Sequence, residues 1–242
     1  MRALRILLIL VVILGGLFVI ADRVAVNIAE NKAADKIRES ESLASTPSVS
    51  IEGFPFLTQV ADGTLDDVKI GIKDYEAKNA DGSIRIADMK AEMHGVKFDS
   101  SYSSATAASA TGTARVSYAD LLKAVQKAGP ARVAPGVSAQ IDGLSYAGDS
   151  KVKLTVAFKT PLGTLRPTVT SAVKVTGGKL SARAVSLPKV GSFDLGESAL
   201  RGVTDFQQAI DNLPAGIKLD KVEAVQDGIE ISVTGSDLRL VG

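Results

Sequence analysis

A single histidine, no cysteine and no tryptophan restrict the chemistry open to this 242-residue chain. His94, in the string Glu92-Met93-His94-Gly95, is the sole imidazole, so no multi-histidine metal site can form. A Ser–His–carboxylate triad would need a presented nucleophile, and no Gly-x-Ser-x-Gly elbow occurs. Asp62, Asp66 and Asp67 cluster around Gly63, with Asp74 and Glu76 beyond. Paired carboxylates can hydrolyse glycosides or bind calcium. This spacing, however, is common in turns and does not match the calcium-loop pattern. The missing cysteines also remove disulfides, thiolate zinc sites, iron–sulfur ligation and cysteine nucleophiles. The expectation is a protein with no catalytic residues, metal or cofactor, with a carboxylate hydrolase at Asp62–Asp67 as the minor alternative.

The elements around these residues are mainly strands. From Val49 onward the apolar positions alternate: Val49 and Ile51, then Val68, Ile70 and Ile72, then Ile84 and Ile86. Met89, Ala91 and Met93 resume the alternation with parity shifted by one, which predicts a bulge or bend near Ala87-Asp88. Val152, Leu154, Val156 and Phe158 form the clearest strand, followed by Val173 and Val175 and later by Ile229, Ile231 and Val233. Asp81-Gly82 and Asp227-Gly228 read as hairpin turns. Ser117 can cap a helix to about Ala128, with Leu121, Leu122 and Val125 inward and Gly129-Pro130 closing it. A second helix is expected from about Thr204 to Asn212, stopped by Pro214. Isolated helices among strands predict an α+β fold with a mostly antiparallel sheet.

The N-terminus carries a membrane signal. Arg2 and Arg5 precede an unbroken apolar run from Ile6 to Ala21, which stops at Asp22-Arg23. At ~1.5 Å per residue its sixteen residues cover about 24 Å of a hydrocarbon core near 30 Å. A signal peptide and a signal anchor both fit, and both put the arginines in the cytoplasm and the rest of the chain outside it. Cleavage after Ala21 would leave Val19 at the minus-three position, short of the small-x-small ideal, so the uncleaved anchor is favoured. Val26, Ala29, Ala33 and Ile37 then mark a modest helical stripe, either a stalk or a helix packed on the domain. The expected organisation is 1–21 signal anchor or signal peptide, 22–44 juxtamembrane helix and 45–242 a single domain.

Hydrophobic residues at 45% exclude wholesale disorder, and a net charge of +1 argues against nucleic acid as a partner. The charge is unevenly placed, for residues 115–189 hold twelve basic and three acidic side chains. That stretch is either a solvated face or a surface for anionic headgroups, with Lys151, Lys153 and Lys159 on the polar face of one strand.

The segment Gly53-Phe54-Pro55-Phe56-Leu57-Thr58-Gln59 crowds apolar residues around a proline that cannot donate to a ladder, so it belongs at an edge or corner. The string IEGFPFLTQ at Ile51–Gln59, with Gly63 and Val68-Lys69-Ile70 after it, resembles the LmeA family of phospholipid-binding proteins. Val116-Ser117-Tyr118-Ala119-Asp120-Leu121-Leu122 resembles it too, as do Leu213-Pro214-Ala215-Gly216-Ile217, Asp227-Gly228-Ile229 and Gly235-Ser236-Asp237-Leu238. These pieces run in order across about 22–242. The resemblance implies a bacterial cell-envelope protein with a tubular lipid-binding fold, in which a curved antiparallel sheet wraps a helix. It implies phospholipid as the ligand and no catalytic residues.

On that footing an apolar groove is expected to be lined by Phe54, Phe56, Leu57, Ile70, Ile72, Ile84, Ile86, Met89, Met93, Val156 and Phe158. Lys151, Lys153 and Lys159 are expected at the headgroup rim. The expected function is an exported phospholipid carrier or sensor held at the cell membrane, or periplasmic if cleaved. The alternative is an anchored envelope scaffold that binds a protein partner.

Overall fold

The computed structural model describes residues 2–79, 82–99, 104–127, 129–186, 205–209 and 215–241. Three helices and thirteen strands are present among them: α1 (Arg2–Ser40), β1 (Ser48–Glu52), α2 (Phe56–Ala61), β2 (Thr64–Asn79), β3 (Gly82–Phe98), β4 (Ala105–Ser117), α3 (Tyr118–Lys127), β5 (Ala131–Ala134), β6 (Val137–Tyr146), β7 (Lys151–Thr160), β8 (Gly163–Leu165), β9 (Thr168–Thr176), β10 (Lys179–Ser186), β11 (Phe206–Ala209), β12 (Ile217–Val225) and β13 (Gly228–Val241). A six-stranded sheet has the order β1-β2-β3-β4-β13-β12, and a seven-stranded sheet the order β11-β10-β9-β7-β6-β5 with β8 paired to β7. The class is α+β with mostly antiparallel, curled sheets and an apolar N-terminal helix, as the alternation predicts. The chain divides into two compact units, one of Met1–Ile72, Lys90–Thr111 and Gly235–Gly242, the other of Lys73–Met89 and Gly112–Thr234.

In the first unit α1 runs unbroken through Asp22-Arg23, so the apolar run and the juxtamembrane segment are one helix. Its second half packs on β1 and α2, burying Asp22, Val26 and Ala34 with Ala29, Ala33 and Ile37 partly covered. The stripe read from the sequence is therefore a packing face, not a free stalk. The Glu30 carboxylate accepts the Ile51 N–H at 2.8 Å, tying helix to strand. β1 pairs antiparallel with β2, setting Val49 opposite Ile70 and Ile51 opposite Val68.

In the second unit β7 alternates buried and open positions up to Val156, after which Ala157 on the lysine face is buried as well. Val152, Leu154, Val156 and Phe158 of β7 face inward beside Ala139 of β6, and Ala224 of β12 joins them to form the core. Register shifts between Ile141 and Gly143, Arg132 and Ala134, and Ala184 and Ser186 insert extra residues, and such bulges bend a sheet. In the long strands the left-handed φ of Asp74 and Gly95, 52° and 60°, acts similarly. Exposed positions on β3 change from odd at Arg85 to even at Lys90, bracketing the expected bend.

α3 begins and ends as predicted. The Ser117 hydroxyl accepts the Asp120 N–H at 3.1 Å as a helix cap, and Gly129 at φ 78° donates its N–H to the Gln126 carbonyl. Val125 is not inward, however, but 39% exposed, because α3 packs on β6 through the neighbouring turn positions. A larger correction falls on Thr204–Asn212. Phe206–Ala209 is strand β11, paired antiparallel with Lys179–Ala182 of β10, so an open sheet edge overrides the helical spacing. Residues 204 and 210–214, and the Asp81 turn, lie outside the described residues.

Candidate functional site

The corner after β1 is built from the Gly53–Gln59 string. Gly53 turns the chain at φ 96°, and a Cβ there would meet Gln59 Nε2 at 2.5 Å and Asp66 Oδ2 at 2.8 Å. Pro55 leads into α2, and the buried Gln59 amide closes the corner by accepting the Asp66 N–H at 2.8 Å and donating to the Glu52 carbonyl. Asp22 of α1 is wholly buried here. One of its oxygens accepts the Leu57 N–H at 2.8 Å, an amide in the first turn of α2 that lacks a helical partner, and the other pairs with Arg23 at 2.5 Å. The Arg23 guanidinium lies 5.3 Å over the Phe54 ring. Asp22 was not among the expected site residues, where it only ended the apolar run. Its signal is its spacing: it lies four residues before Val26, on the same stripe.

The three apolar residues of the corner separate. Phe56 is buried, Leu57 is half-buried and Phe54 stays 59% exposed. Ile70 and Ile72 on β2 and Ile84, Ile86 and Met89 on β3 are all half-buried, whereas Met93 is buried. Val156 and Phe158 are wholly enclosed by protein atoms in the core of the second unit. Lys151, Lys153 and Lys159 lie on the opposite face of β7 from those two, as the two-residue period dictates, and Lys151 pairs with Asp149 at 3.4 Å.

Some of the candidate catalytic groups are paired. His94 Nδ1 bonds to Asp67 between β3 and β2. Asp62 is the C-cap residue of α2. Lys69 bridges Glu52 at 2.8 Å and Glu92 at 3.4 Å, and Glu52 above all holds its ammonium above the ordinary lysine range. Cross-strand pairs of this kind stabilise a sheet without preparing a nucleophile.

Within the second unit a cleft of about 270 Å³ is lined by Asp74, Glu76, Ser83, Ile84, Arg85, Asp120, Lys123 and Lys127. Its charges are mutually bonded, with Arg85 reaching Asp74 at 3.3 Å and Asp120 at 3.2 Å. The Ser117 hydroxyl, donating to Asp120 at 2.6 Å, does most to hold the buried carboxyl below its usual range, and Arg85 and Lys123 add to this against the cost of burial. A carboxyl depressed by folding stabilises the fold above about pH 4, and that contribution fades as pH falls through the folded-state value. Asp120→Asn is therefore expected to cost about 1 kcal/mol at neutral pH. The gap to the parent should close below the carboxylate range, as urea midpoints across an acid series would show. Burial, helped by Tyr146 and Asp227, pushes the Tyr118 phenol up to about 12; its hydroxyl donates to the Val225 carbonyl at 2.8 Å.

Curled antiparallel sheets carrying half-buried aliphatic side chains, with an apolar N-terminal helix, define the class by fold. The LmeA-like phospholipid-binding family matches residues 20–234, and the chain belongs to it. No curated protein and no solved structure matches the chain.

Proposed function

We propose that the chain is an exported phospholipid carrier or sensor of the bacterial cell envelope, held at the membrane by α1. The family match over 20–234 carries the reading, because it spans both units and their curled sheets. The apolar positions that stay half-buried are the proposed acyl-chain contacts of each unit, Leu57, Ile70 and Ile72 in the first and Ile84, Ile86 and Met89 in the second. Val156 and Phe158, enclosed in the core of the second unit, are left out of this set. Burying a methylene gains about 0.8 kcal/mol relative to water, and a bilayer offers nearly the same. A groove of this kind makes lipid exchange close to neutral and shortens exposure to water, so no bond need be broken.

Retention of α1 as an anchor is supported by its continuity. Cleavage after Ala21 would cut a helix immediately before the buried Asp22, which holds the Leu57 amide. With the arginines of the N-terminus on the cytoplasmic side, everything after the apolar half of α1 lies outside the cytoplasm.

Lipid extraction with native mass spectrometry tests the reading, using the chain from Ile20 onward, where the family match begins, made in a bacterial periplasm. Phospholipid co-purifying at about one per chain is expected, since family members bind it and a single groove holds one lipid. A chain that is empty and takes up nothing from anionic or neutral vesicles would sink the proposal, and the anchored scaffold would replace it.

A further inference from the structure

The seven-stranded sheet ends in two neighbouring hairpin tips of unusual composition. The β7–β8 turn contains Pro161 and Leu162, and the β5–β6 turn contains Pro135 and Gly136. The tips touch: a Cβ on Gly136 would stand 3.5 Å from Pro161 Cγ. Leu162 is 80% exposed and Leu165 37%, although an aliphatic side chain at a tight turn is held open only by the turn itself. The Thr160 hydroxyl fixes that turn, accepting the Leu162 N–H at 3.2 Å and donating to the Gly163 carbonyl at 2.9 Å.

Cations surround the tips. Arg132 and Lys159 flank Ser138 from either side on the outward face of the sheet. Neither meets a carboxylate among the described residues. Arg166 follows Leu165 and pairs with Asp142 at 3.2 Å. Further along the same face, Lys153 stands opposite Ser145 and Thr170, Lys174 opposite Ser181, and Arg183 opposite Ala172. An apolar point inside a cationic ring, backed by a basic face rich in hydroxyls, matches the interface of an anionic bilayer. The leucine enters the acyl boundary while the cations stay among the phosphates.

We infer that the Pro161-Leu162 and Pro135-Gly136 tips are where this chain docks on an anionic phospholipid surface. The inference deepens the lipid-carrier reading, since a groove exchanges lipid only where it meets a membrane. It is nonetheless tested apart from that reading.

The chain has no cysteine, so Leu162→Cys gives a single attachment point for an environment-sensitive fluorophore. The full chain would be held in nanodiscs of phosphatidylcholine with or without phosphatidylglycerol, then titrated with vesicles of the same two compositions. The probe is expected to brighten and shift to the blue only where phosphatidylglycerol is present, in the disc or in the added vesicle. Adding Arg132→Ala or Lys159→Ala should weaken this response about fivefold each, and high salt should abolish it. An unchanged probe in all four settings, with phospholipid still co-purifying, would overturn the docking site and leave the carrier reading intact. Equal brightening in both lipids would overturn the role given to the cations. Specific brightening on a chain that co-purifies no lipid would uphold the docking site and remove the carrier.

Discussion

Gly228→Ala is expected to destabilise the second unit by about 3 kcal/mol or more, because the added methyl displaces backbone and not a movable side chain. A Cβ at this position would stand 2.1 Å from the Val116 carbonyl oxygen and 3.0 Å from Ser117 Cα. Gly228 opens β13, and Ser117 both ends β4 and caps α3, so the two strands can only part by loosening the helix cap. The corresponding fall in melting temperature is about 6–12 °C for a chain of this length. Gly129→Ala provides the comparison. Nothing lies within 4 Å of its Cβ, and only its φ of 78° resists substitution, at a cost of about 1 kcal/mol. Equal melting temperatures for the two variants would show that β13 and β4 do not approach this closely.

Phe158→Ala should cost about 3–5 kcal/mol, the range for deleting an aromatic ring from a packed interior. Phe158 has no exposed surface and shares the core with Val156, Leu154 and Ala139. Its neighbour Lys159 and the nearby Lys153 face the other way, so Lys153→Ala should stay within about 0.5 kcal/mol of the parent. Urea titrations of the two variants would measure the contrast across one strand. Below its unfolding transition Phe158→Ala should still carry phospholipid. Loss of lipid from a chain that remains folded would place the ring in the groove.

Much of the architecture was legible because some segments state their structure locally. β7 alternates four apolar side chains with lysines and threonine, and α3 carries its cap serine and its closing glycine at the right spacing. β4, by contrast, reads ATAASATGTARVS, whose small residues signal neither strand nor helix. They are explained only by close packing: Ala107 is wholly buried, and a Cβ on Gly95 would stand 3.2 Å from that of Ala108. The Asp227-Gly228 turn was placed correctly for a reason that proves different. Gln226 and Asp227 make the turn, and the glycine is needed for its missing side chain, not for a left-handed φ. Phe206–Ala209 shows the limit of periodicity, since its pairing partner lies more than twenty residues earlier in β10. The site was legible in part. The corner string pointed to the family, and the half-buried isoleucines follow from their alternation. Asp22 escaped because a buried carboxylate gains its meaning only from the amide that it meets in α2.

The uninterrupted run of α1 makes it a lever without a joint. With its apolar half seated in a bilayer as proposed, any tilt of that half is passed on undiminished to Asp22, Arg23 and the corner they hold. From Asp22 to Ser40 the helix extends about 27 Å further, so a 20° change of tilt swings its far end by about 9 Å. An apolar run of about 24 Å is short for a hydrocarbon core near 30 Å, so it draws the surrounding bilayer thinner instead of tilting to fit. The proposed anchor would thereby favour thinner membranes, and the corner that Asp22 holds would be carried there with it.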